Sequence, residues 1–108
     1  MRLRQVALVS SDLDRVAGQL AGAFGLKVAY NDPHIGHYGL KNAVLPAGGA
    51  FIEVVQPIRD DASAARHLKR RGGDAGYMLI LQVADAPAEQ ARAQALGVRV
   101  VDTIDTPA

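Results

Sequence analysis

One strand-helix-strand pattern is written twice in this chain, and that repeat limits the folds open to it more than any other feature. Val6-Ala7-Leu8-Val9 leads to Asp12, then an alanine-rich helical stretch, then Gly25 and Leu26-Lys27-Val28. Leu79-Ile80-Leu81-Gln82-Val83 leads to Asp85, a second alanine-rich stretch, then Gly97 and Val98-Arg99-Val100. The two copies are offset by 73 residues at the aspartates and by 72 at the glycines. Such self-similarity marks a supersecondary unit used twice. Each copy has a helix start signal, an acidic or hydroxyl residue before the apolar period, and a glycine stop suited to a left-handed cap. In the first copy Ser11 is the expected cap, with Asp14 three positions on. In the second, Asp85 caps and Pro87 sits in the first turn.

Between the copies lie further strand signals. Leu3 to Val9 and Leu26 to Tyr30 read as the first two strands. Asn31-Asp32-Pro33 is turn chemistry. A third strand runs from about His37 to Leu45, and Pro46-Ala47-Gly48-Gly49 turns the chain into a fourth, Gly49 to Pro57. Ala62 to Arg71 reads as a short helix stopped by Gly72-Gly73, with Arg66, His67, Lys69, Arg70 and Arg71 in it. Basic residues near a helix C-terminus suit its dipole; a grip on a ligand's phosphate or carboxylate is the alternative. Gly76 to Val83 is a fifth strand and Val98 to Val101 a sixth, with a loop-like tail. The first copy is thus a complete β-α-β-β-β unit over residues 1–57. A linker with its helix covers 58–75. The second unit, 76–108, stops after its second strand. An ordinary composition of 108 residues, 49% hydrophobic and 21% charged, fits one soluble domain.

The fourth strand carries the clearest chemical signal. Alternation places Phe51, Glu53 and Val55 on one face, so a carboxylate interrupts an apolar strand. A buried carboxylate is costly unless it is paired, hydrogen-bonded or bound to a metal. In the first strand Leu3, Gln5, Ala7 and Val9 share a face, and Arg4, Val6 and Leu8 the other. Several classes of function are disfavoured. A formal net charge of +1 gives no reason to expect nucleic acid or an acidic membrane as partner. The absence of cysteine removes disulfides, thiolate metal sites and a cysteine nucleophile. No signal-peptide core or membrane-length run is present, so the cytoplasm is the expected compartment.

The order Gln5-Val6-Ala7-Leu8-Val9 with Asp12-Leu13-Asp14, Phe24-Gly25-Leu26-Lys27-Val28, Phe51-Ile52-Glu53-Val54-Val55-Gln56-Pro57, Leu68-Lys69-Arg70-Arg71-Gly72 and Val83-Ala84-Asp85 resembles the vicinal oxygen chelate superfamily. Its layout is most similar to methylmalonyl-CoA epimerase-type and glyoxalase-like domains. The resemblance implies an α+β fold of paired βαβββ modules, a half-open barrel with helices on the outer face, with the second module truncated after its second strand. It implies a divalent metal (Zn, Ni, Co, Mn or Mg) held by Gln5 and Glu53, with Glu53 as the catalytic carboxylate of a glyoxalase- or epimerase-like lyase or isomerase acting on a small carbonyl or thioester substrate. The third ligand position, usually His, falls on Met78, a soft thioether ill-suited to such ions, and Tyr77 precedes it. Relatives of the bleomycin-resistance type bind a small molecule without metal chemistry, and that reading stays open, as does an inactive piece of a longer chain. The expected ligand cleft comprises Ala7, Tyr38, Phe51, Val55, Met78 and Ile80. His34 and His37 read as loop or cleft-mouth residues, and His67 as exposed. An unpaired sheet edge is a liability, so a homodimer that closes the barrel is expected. A ferredoxin-like sandwich is the alternative fold.

Overall fold

The computed structural model describes residues 1–28, 31 and 35–104. Four strands form one sheet: β1 (Arg2–Val9), β2 (Leu40–Ala47), β3 (Ala50–Pro57) and β4 (Ala75–Gln82). The helices are α1 (Leu13–Phe24), α2 (Ser63–Arg71) and α3 (Ala86–Ala95), with a 3-10 turn at Ile35–Tyr38. The strand order is β2-β3-β1-β4. β1 runs parallel to β3, while β1–β4 and β2–β3 are antiparallel. This α+β, open, mixed sheet agrees with the fold class that the resemblance implies. The strand order and directions are also those of a ferredoxin-like sandwich, but α1 and α2 pack on opposite faces of the sheet, so that fold is not formed.

The first strand and its helix follow the sequence closely. Asp12, rather than Ser11, caps α1: its Oδ1 accepts from the Arg15 amide at 3.2 Å. Ser10 Oγ instead accepts from the Asp12 amide at 2.9 Å, bracing the cap from outside. Gly25 closes the helix at φ 66°, a conformation that costs glycine little. Gln56 Oε1 accepts from the Leu13 amide at 2.9 Å, tying the start of α1 to the end of β3. On this outer face Leu13 and Ala17 pack on Ala43, Leu45 and Val54. Leu45 and Val54 are fully buried, each worth roughly 1.5–3 kcal/mol of burial.

Other expectations are corrected. Leu26–Val28 form no strand, and residues 29 and 30, with His34, lie outside the described residues. His37 sits in the 3-10 turn, its ring edge-on to Tyr38 at 5.1 Å, and the strand begins only at Leu40. That strand runs on through Pro46 to Ala47; β2 is the edge among the described strands, where a missing amide hydrogen is tolerated. The β2–β3 turn is therefore just Gly48-Gly49, with Ala47 paired to Ala50 and Gly48 at φ 62°. A two-residue hairpin loop needs such a residue. Val98–Val101 form no strand; extended backbone becomes a strand only where it pairs, and this segment pairs with none of the described strands. Finally, α2 does not join α1 on the outer face. It packs through Ala64 and Leu68 on Val9, Leu40 and Val55, closing one end of the opposite, concave face.

Candidate functional site

The concave face carries a cleft of about 720 Å³, within the usual range for small-molecule sites. Glu53 lies on its floor, 7% exposed. Its two strand neighbours, Ala7 on β1 and Val44 on β2, are short enough to leave the carboxylate reachable from the diagonal positions. Long side chains bridge such diagonals. Gln5, one step along β1, donates from Nε2 to Glu53 Oε1 at 2.6 Å. Asn42, one step along β2 in the other direction, donates from Nδ2 to Glu53 Oε2 at 2.6 Å. Asn42 is 2% exposed. Two neutral amides thus grip one carboxylate from opposite sides. Bonds to an ionised acceptor are short and about twice as strong as neutral ones, which accounts for the burial of a lone acid.

Seven of the residues expected at the site line this cleft: Gln5, Ala7, Tyr38, Glu53, Val55, Met78 and Ile80. Phe51 does not; the Arg4 guanidinium carbon lies 5.6 Å from its ring centroid. Strict alternation puts Arg4 on the outer face, but β1 is bulged between Leu3 and Gln5 in its pairing with β4. A bulge adds an unpaired residue and re-aims its side chain. Arg4 accordingly reaches Gln82 Oε1 at 3.3 Å. A second irregularity, where Ala7 pairs with Met78 and Leu8 with Gly76, makes Tyr77 the extra residue of β4. Tyr77 and Met78 therefore both line the cleft, despite being adjacent in a strand. His67 is half-buried rather than exposed: its Nε2 lies 2.8 Å from the Gly76 carbonyl and its ring 5.3 Å from that of Tyr77. It braces the bulge. Asn42 was missed from sequence, and the signal for it was the Gly48-Gly49 turn. Counting outward from a two-residue hairpin places Asn42 opposite Val55, on the diagonal to Glu53.

Among the described residues the donor set is smaller than a divalent ion of the kind the resemblance implied ordinarily takes. Structural and catalytic sites for such ions gather at least three or four nitrogen, oxygen or thiolate ligands. Here both Glu53 oxygens are engaged by amide N–H groups, Gln5 turns its nitrogen toward Glu53, and Met78 offers a soft thioether. No group of three His, Asp or Glu side chains positioned to share an ion occurs among the described residues.

An open mixed sheet, concave over a central acid and backed by α1, matches a glyoxalase-like half module. The family model for the glyoxalase-like domain matches residues 6–107, and the chain belongs to that family. No curated protein matches it. Among solved structures it is similar to a variant of Streptomyces coelicolor methylmalonyl-CoA epimerase in complex with 2-nitronate-propionyl-CoA: 21% identity, 94% of this chain and 74% of that one, TM-score 0.84. Methylmalonyl-CoA epimerase from Mycobacterium tuberculosis is 25% identical over 90% of this chain and 65% of its own, TM-score 0.78. A hypothetical protein of Bacillus halodurans C-125 is 19% identical over 94% and 72%, TM-score 0.83. No helix among the described residues is long and apolar enough to cross a membrane.

Proposed function

We propose that this chain is a binding module whose glyoxalase-like cleft takes a small organic molecule without a metal ion. The observation that carries this reading is the amide clamp on Glu53. At the two positions where the family resemblance puts metal ligands, Gln5 and Glu53 are bonded to each other, and Asn42 takes the remaining carboxylate oxygen. The walls are mostly apolar, with Tyr38 and Tyr77 as hydroxyl-bearing aromatics, the usual make-up of a site for a small organic ligand. A second copy of the chain is part of the same reading: β4 is an edge strand with Leu79 and Leu81 exposed, and pairing along it would cover them.

One observation favours a second reading, a metal-dependent lyase or isomerase acting on a small carbonyl or thioester. Gln5 and Glu53 do converge, and a Gln5 amide turned over would face oxygen against oxygen, an arrangement that favours a cation between them. Calorimetric titration of the chain with Ni²⁺, Co²⁺ and Zn²⁺, with Glu53→Ala as control, separates the two. The metal-free reading expects no tight binding by the native chain. Tight binding that is lost in Glu53→Ala would overturn it in favour of the metal enzyme.

A further inference from the structure

The charge of the cleft narrows the class of ligand, given the metal-free reading on which this inference rests. Among the described residues, the charged side chains lining it are Glu53 and Asp102, and neither lysine nor arginine is in that lining. Arg4 sits beyond that lining, on Phe51 and Gln82. Glu53 makes no ion pair among the described residues; its partners Gln5 and Asn42 are neutral. Amides lower the cost of burying a carboxylate but bring no opposite charge. They also occupy only two of the roughly four acceptor positions on a carboxylate. Glu53 can therefore still accept hydrogen bonds from a ligand above it.

We infer that the cleft is selective for an organic cation, a primary ammonium or similar group carried on an apolar body. The ammonium brings the missing counter-charge and donors for the open acceptor positions on Glu53. The apolar body lies against Val44, Val55 and Ile80, and Tyr38 and Tyr77 present the aromatic surfaces that attract cations. A ligand that leads with a carboxylate or phosphate meets Glu53 across a low-dielectric floor, where like charges repel strongly.

The test uses benzylammonium, benzyl alcohol and benzoate, which share a ring and differ in headgroup charge. Binding to the full chain is followed by NMR at the side-chain amides of Gln5 and Asn42. The expected order is ammonium first, tighter than the alcohol by about tenfold or more, as a hydrogen bond to a charged group implies, with benzoate weakest. Glu53→Gln should reduce the ammonium to the level of the alcohol. If the alcohol or benzoate binds as tightly as the ammonium, the cation inference falls while the binding-module reading stands. If none of the three moves the cleft amides, both fall. A preference that survives in Glu53→Gln also overturns the inference, because its source is then another charge. The ranking in the native chain decides the matter even where the variant fails to fold.

Discussion

Helices α1 and α3 begin in the same way and end up in different surroundings. Both are capped by an aspartate, Asp12 accepting from the Arg15 amide at 3.2 Å and Asp85 from the Ala88 amide at 3.0 Å. Both follow a strand of the same sheet. Yet α1 buries Leu13 and Ala17, whereas α3 has no buried residue. The difference lies in what each helix carries. α1 offers Leu13, Val16 and Leu20 on one side, while the apolar residues of α3 are alanines and a proline. The strands show the same contrast. The core of β2 and β3 is fully buried at Leu45 and Val54, but on β4 Leu79 is 69% exposed. Caps decide that a helix forms and where it starts; the size of its apolar side chains decides whether it docks.

The largest test of that contrast sets one leucine against another. Leu45→Ala should cost about 2–5 kcal/mol, the usual range for a fully buried leucine with its cavity. Leu79→Ala, at an exposed position of β4, should change stability by no more than about 0.5 kcal/mol. Urea denaturation of both variants measures the two together. Comparable losses would mean that the exposed half is covered in solution and that the contrast belongs to the isolated chain.

The same contrast explains what could be seen in the sequence. Alternation set the faces of Gln5 and Glu53 within their own strands and the family resemblance put the two together; β1 and β3 are regular where they pair, Gln5 with Phe51 and Ala7 with Glu53. The helix ends were legible from Asp85, Gly25 and the Gly72 stop, since each is a local requirement of the backbone. Properties set by pairing between distant segments were not legible. Arg4 and Tyr77 change face because of irregularities in the β1–β4 register, which no local pattern records. Asn42 depended on the hairpin register, and assigning Pro46 to the turn hid it. Val98–Val101 has the residues of a strand but pairs with none of the described strands, and β propensity counts for little without pairing.

Capping gives a smaller and sharper comparison. Asp12→Ala should lower global stability by about 1 kcal/mol, the typical cost of losing an aspartate cap, because α1 is part of the core. Asp85→Ala removes an equivalent bond from a helix that buries nothing. Its effect should stay local: faster amide hydrogen exchange across 88–97, with the global urea midpoint little changed. A matching shift in that midpoint would show that α3 docks after all.

The smallest effect concerns a link between the two halves. Arg15, on α1, donates from Nη2 to Asp74 Oδ2 at 2.6 Å, just before β4 begins. The Arg15 hydrogen bond, followed by one from Ser10, holds the Asp74 carboxyl below the ordinary carboxylate range, and the Asp74 partner raises Arg15. A carboxyl with a lower folded than unfolded pKa binds its proton more weakly in the folded state. Its contribution is complete above the ordinary carboxylate range and is lost as the pH falls through the depressed folded value. Both side chains are well exposed, at 46% and 41%, so solvent and salt screen the pair and the contribution is modest. Asp74→Asn should therefore flatten the acid limb of the stability–pH curve relative to the native chain, with the gap narrowing in high salt. An acid limb that is steeper in the variant would mean that Asp74 is no strap between α1 and β4.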